Sequence, residues 1–134
     1  MTTAGADDTV PNGTDAAPEA LLVDVTIPLQ PRYASTLRLV AASLAADAGF
    51  SVDDIDDIRL ALDEAFTLLS DRYGDHRCRT VFDVMQGRLR ATVQTEEGPS
   101  DVSPDEITLS ILSAVVDRVS FEPNGITIEK LALT

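Results

Sequence analysis

Ser51-Val52-Asp53-Asp54-Ile55-Asp56-Asp57-Ile58-Arg59-Leu60-Ala61-Leu62-Asp63-Glu64-Ala65-Phe66-Thr67-Leu68-Leu69 decides how this chain is read. Ser51 is an N-cap residue type, and Asp53 and Asp54 follow in the first turn, where the helix dipole favours acids. Val52, Ile55, Ile58, Leu62, Ala65, Phe66 and Leu69 then recur at three- and four-residue spacing, which predicts a long amphipathic helix with those residues on its buried stripe.

On the N-terminal side, Tyr33, Leu37, Val40, Leu44 and Ala48 repeat with the same period after Pro31. They predict a helix that ends at Gly49, where a left-handed cap costs little. Before it, Leu21 to Ile27 is β-rich and stops at Pro28, which has no N–H to give to a ladder. Residues 1–20 hold four acids (Asp7, Asp8, Asp15, Glu19), no base and no hydrophobic period, and read as a disordered acidic tail.

On the C-terminal side, Thr80–Met85 and Leu89–Thr95 flank Gln86-Gly87-Arg88 as a hairpin. Glu96 to Ser103 reads as a loop. Pro104-Asp105-Glu106 opens a third helix carrying Ile107, Ile111, Leu112, Val115 and Val119. Asn124-Gly125 then turns the chain into a last strand, Ile126–Leu133. The order β-α-α-β-β-α-β, without repeats, predicts an α+β domain over residues 21–134. Its expected form is a two-layer α/β sandwich with the helices on one face of a mixed sheet.

Composition narrows the function classes. A chain of 134 residues with 44% hydrophobic content suffices for one core. Its apolar runs are far shorter than the roughly 20 residues that cross a bilayer. The first residues lack the basic and apolar regions of a secretory signal, so a cytoplasmic, membrane-free protein is expected. One cysteine, Cys78, and one histidine, His76, give neither an internal disulfide nor a zinc cluster, so no metal site is expected. The formal charge is −13 with ten scattered basic residues, which argues against nucleic acid as a partner. The 19 acids outside residues 1–20 still leave −9 against those ten bases, so the acidity belongs to the domain and suits steering toward a basic protein partner.

Asp57-Ile58-Arg59-Leu60-Ala61-Leu62-Asp63-Glu64-Ala65 resembles the N-box helix of the anti-sigma serine kinases, within the histidine-kinase-like ATPase superfamily. The resemblance extends over roughly residues 21–133. It includes Ser110–Val119 and the Gly125-Ile126-Thr127 start of the last strand, as in the degenerate actinobacterial stress and sporulation anti-sigma factors. It implies a Bergerat-type fold. In that family a glutamate acts as the base, and an asparagine four residues later, on the same helix face, coordinates magnesium. Glu64 occupies the first position and is a relic base candidate. Leu68 occupies the second and has no oxygen for a hard cation. The family's Asp-x-Gly-x-Gly motif is replaced by Glu96-Glu97-Gly98-Pro99-Ser100, leaving Glu96 and Gly98 as degenerate remnants of adenine recognition. No glycine lies between Pro99 and Ile107 to form a phosphate-binding backbone nest.

The resemblance therefore implies a pseudokinase with no ATP or magnesium cofactor and no catalytic residue. It would be an anti-sigma factor that sequesters an alternative sigma factor, is released by an anti-anti-sigma antagonist, and forms a homodimer. Arg38 lies where the family presents an arginine to sigma, and an ordinary surface arginine is the alternative reading. The rival functions are an active ATP-dependent serine kinase that phosphorylates its antagonist, and a stand-alone protein-interaction module. Asp57, Asp63 and Glu64 otherwise read as solvated helix acids. His76 with Arg72, Arg77 and Arg79 reads as a solvated loop rather than a basic patch, and Cys78 as a small buried hydrophobe.

Overall fold

The computed structural model describes residues 20–96 and 103–133. The expected tail, apart from Ala20, and most of the loop after Glu96, Gly98 included, lie outside the described residues. Eight main elements follow in order: β1 (Leu21–Pro28), α1 (Ala34–Asp47), α2 (Val52–Tyr73), β2 (Arg77–Met85), β3 (Arg88–Thr95), α3 (Glu106–Val115), β4 (Arg118–Glu122) and β5 (Gly125–Leu131). A single 3₁₀ turn at Pro31–Tyr33 leads into α1.

The strands form one sheet in the order β1-β2-β3-β5-β4, and every neighbouring pair is antiparallel. This corrects the expected mixed sheet. The cause is β4, which the sequence reading absorbed into the third helix. That helix stops at Val115, and Val116 is already extended at φ −127° and ψ 162°. The β-branched and aromatic alternation of Val119 and Phe121 then makes a short strand, hairpinned to β5 through Asn124 at φ 62°. Without β4, β5 would follow a helix as a crossover strand; with it, the chain returns antiparallel beside β3.

Alternation sorts the sheet into two faces. Cys78, Thr80, Phe82 and Val84 on β2, Leu89, Ala91 and Val93 on β3, and Ile126 and Ile128 on β5 are buried beneath the helices. Their neighbours point to the open face, which carries Asp24, Arg79, Arg90 and Ser120.

The helices supply the other half of the core. On α1 the deeply buried row is Ala34, Leu37, Ala41 and Ala45, while Val40 and Leu44 are only partly buried. The deeply packed row is thus mostly one residue on from the expected one, with Leu37 common to both. On α2, Ser51 caps the helix by accepting the Asp54 N–H at 3.1 Å. Ile58, Ala61, Leu62, Ala65, Phe66 and Leu69 are buried, but Val52 projects into solvent at 74% exposure. Gly49 at φ 86° ends the first helix and Gly87 at φ 76° makes the β2–β3 turn. The Gly87 N–H donates to the Ala48 carbonyl at 2.8 Å, so the hairpin tip is pinned to the α1–α2 corner. No helix among the described residues is long and apolar enough to cross a membrane.

Candidate functional site

Residues Asp54, Asp57, Ala61, Glu64 and Leu68 follow one another at steps of three and four along α2, so they share a face. That face meets α3 and β5. At its N-terminal end the chain's sole lysine, Lys130 on β5, points inward with Ile126 and Ile128. Its ammonium donates to the Val115 carbonyl at 2.8 Å and to Asp57 Oδ2 at 3.2 Å, and stands 3.8 Å from Asp54 Oδ1. The side chains of Lys130 and Asp54 are only 13% and 10% exposed. A nearly buried cation thus ties the start of α2 to the end of α3. Asp57, expected to be a solvated acid, is half of that tie.

Glu64 stands further along the same face, near the opposite end of α3, so α3 runs antiparallel to α2. Its carboxyl is raised above the ordinary glutamate value, first by burial and then by the negative charges of Asp63 and Asp105. Asp105 caps α3. Its Oδ1 accepts the Thr108 N–H at 2.7 Å, and this hydrogen bond holds its own carboxyl below the usual range. Arg72, near the end of α2, donates to the Ser103 carbonyl and fastens the approach to α3. Leu68, one turn beyond Glu64, is 9% exposed and belongs to the hydrophobic core.

The other side of α2 faces α1. Arg38 donates to Asp63 Oδ1 at 2.6 Å, with the two side chains 32% and 40% exposed. The expected solvent-directed arginine is therefore an inter-helix clasp with one edge in water, beside Leu39, which is 72% exposed. Asp63 is its partner rather than a solvated acid. His76, read as part of a solvated loop rather than a basic patch, has its Nδ1 3.0 Å from the Tyr73 carbonyl, and Arg79 is paired with Asp24 at 2.7 Å. Cys78 is fully buried, and burial pushes its thiol up to about 11, as expected of a small core residue.

Of the positions the resemblance assigned to nucleotide, Glu64 and Leu68 lie together on α2, while Glu96 is exposed just past the end of β3. A magnesium ion wants oxygen donors, and the α2 face offers a buried methyl-bearing side chain where one is needed. Among the described residues no cluster of three His, Cys, Asp or Glu side chains is placed to hold a metal ion. The described residues do not fit the family's metal.

Sequence reading missed Lys130 and Asp54. Strand alternation was the available signal, because Lys130 shares parity with Ile126 and Ile128 and must face the helices.

A five-stranded sheet covered on one face by three helices, with the acid-bearing α2 packed between α1 and α3, is the architecture of the histidine-kinase-like ATPases. Within that class, the chain is 31% identical over 107 residues to the serine-protein kinase RsbW of Bacillus subtilis, covering 73% of this chain and 65% of that protein. It is 26% identical over 130 residues to the RsbW of Bacillus velezensis, covering 79% and 81%. It is 29% identical over 106 residues to that of Bacillus licheniformis, covering 73% and 65%. The chain thus spans just under two thirds of two of these relatives. These likenesses support a place in the RsbW serine-protein kinase family. No protein-family model matches it.

Proposed function

We propose that this chain is a cytoplasmic, homodimeric anti-sigma factor that holds an alternative sigma factor, yields it to an anti-anti-sigma antagonist, and makes no use of Mg-ATP. The observation that carries this reading is Leu68. An apolar side chain that is 9% exposed and built into the core stands where the metal's oxygen ligand belongs. Removing the ligand while retaining the α1–α2 framework leaves a protein-binding surface without phosphoryl transfer.

Two observations favour a second reading, the active serine kinase. The relatives are named serine-protein kinases. Glu64 is also retained, with its carboxyl raised by burial and by Asp63 and Asp105, and a raised carboxyl suits a general base.

Titration calorimetry with Mg-ATP separates the readings. No saturable heat is expected at micromolar nucleotide, whereas a micromolar Kd, roughly −8 kcal/mol, would establish the kinase reading. In a parallel measurement, Arg38→Ala should weaken capture of the sigma factor by about 2–4 kcal/mol if the clasp sits at a desolvated interface centre, while Glu64→Ala leaves it unchanged. Loss of capture on Glu64→Ala alone would move the binding surface to the α3 side of α2.

A further inference from the structure

One cavity lies across β3, β5 and β4, with no residue of α2 in its lining. It is a groove of about 560 Å³ on the open face of the sheet, lined by Arg90, Arg118, Ser120, Thr127 and Glu129 among others. The register explains its construction. Arg90 and Arg118 are both cross-strand partners of Glu129, so two arginines flank one acid in a row across β3, β5 and β4. The next row along the strands is Thr92, Thr127 and Ser120, a line of hydroxyls.

The acids of the groove are shared with groups outside it, and Glu129 Oε1 faces Arg118 at 3.7 Å. Glu129 Oε2 accepts Arg88 Nε at 2.8 Å, and Asp117 Oδ2 accepts the Leu131 N–H at 2.8 Å. The Arg90 guanidinium has no ion-pair or hydrogen-bond partner among the described residues, and Arg118, 83% exposed, has a single long ion pair, to Glu129 at 3.7 Å. On a chain of net charge −13, two under-partnered arginines facing an open groove call for an anionic occupant.

We propose that the occupant is the chain's own N-terminal segment, residues 1–19, through Asp15 and Glu19. The segment carries four acids and no base. Leu22, near the start of β1, pairs with Asp83, which pairs with Arg90, so the chain enters the sheet in the same row as both arginines. At about 4.8 Å per strand, Arg90 lies ~10 Å and Arg118 ~19 Å across the sheet from β1. Glu19 and Asp15 precede Leu21 by two and six residues, which at ~3.3 Å per residue reach ~7 Å and ~20 Å before side-chain length is added. Their mutual separation, ~13 Å extended, matches the ~10 Å between the two arginine strands with side-chain slack. A free acidic peptide would meet the repulsion of the whole molecule, but a tethered one is held at roughly millimolar effective concentration.

Paramagnetic broadening on the full-length chain tests this. A nitroxide is placed at Thr14→Cys, since the buried Cys78 thiol is shielded from labelling. At low salt, the Ser120 and Thr127 amide peaks should lose roughly half their intensity, and they should regain it near 0.5 M salt, where the Debye length falls to ~4 Å. Arg90→Glu with Arg118→Glu should abolish the broadening, and adding Asp15→Arg with Glu19→Arg should restore it. Unbroadened Ser120 and Thr127 would overturn the proposal. So would broadening that survives the charge reversal, or that appears between differently labelled copies in a mixed sample and so belongs to a second molecule.

Discussion

The two ends of the α2–α3 contact are built from the same helix face and serve opposite purposes. At one end Lys130 satisfies Asp54, Asp57 and the Val115 carbonyl together. At the other, Glu64 has acids for neighbours and Leu68 is buried apolar surface. Charge at the first end holds the fold; at the second Leu68 is packed into the core and the Glu64 carboxyl has no counter-ion among the described residues. One helix face can thus carry a paired, fold-holding charge at one end and an unpaired carboxyl beside apolar packing at the other.

The sharpest way to break the comparison is to remove the lysine. Lys130→Met keeps most of the stem but leaves Asp54 buried without its cation, and breaking a buried pair in this way costs about 3 kcal/mol. Urea unfolding with an unchanged m-value would report it. Adding Asp54→Asn should recover part of the loss, because the uncompensated charge goes with it, and a double-mutant cycle isolates that coupling. A loss below about 1 kcal/mol would show that the Lys130 end holds no more than a surface pair does.

At the other end, Leu68→Asn restores the family's oxygen donor at a core position. It should cost about 2–3 kcal/mol, from lost apolar burial and an amide short of partners. On the proposed reading Mg-ATP affinity should stay negligible, since the resemblance also implies that Glu96 stands in place of the adenine-binding aspartate. Micromolar binding by calorimetry would mean that Leu68 alone had closed the site.

Much of this was legible in the sequence. Ser51, the 3.6-residue period and the Gly87 turn placed β1, α1, α2 and the β2–β3 hairpin with nearly correct limits, because local propensity and burial agreed there. The third helix was drawn too long because Val115 and Val119 continue the helical spacing of Ile107, Ile111 and Leu112. The alternation of Val119 and Phe121 before Asn124 was the competing period, and the missed strand turned an antiparallel sheet into a mixed one on paper. In the site, spacing along one helix put Glu64 and Leu68 on a common face. Pairings between elements, Arg38 with Asp63 and Lys130 with Asp54 and Asp57, depend on how helices and sheet are stacked, and no local pattern encodes that. For this reason Asp57 and Asp63 read as solvated when both are engaged.

The smallest expected effect tests the sign at the unpartnered end. Burial, Asp63 and Asp105 all raise the Glu64 carboxyl above its ordinary value of 4.5, so the folded state binds this proton more tightly than the unfolded chain does. Below the unfolded value both states are protonated and Glu64 leaves the balance untouched. As pH climbs through and past the folded value, the native state must carry a charge it disfavours, and stability declines. Glu64→Gln removes that charge at nearly constant shape. At pH 7 it should stabilise the protein by less than about 1 kcal/mol, since the side chain is partly in water and screening discounts the effect. The gain should shrink to nothing as unfolding is repeated at pH values falling below 4.5. If Glu64→Gln destabilises the protein at pH 7 instead, the ionised carboxylate has a stabilising partner, and the two ends of the contact are held together by the same kind of interaction.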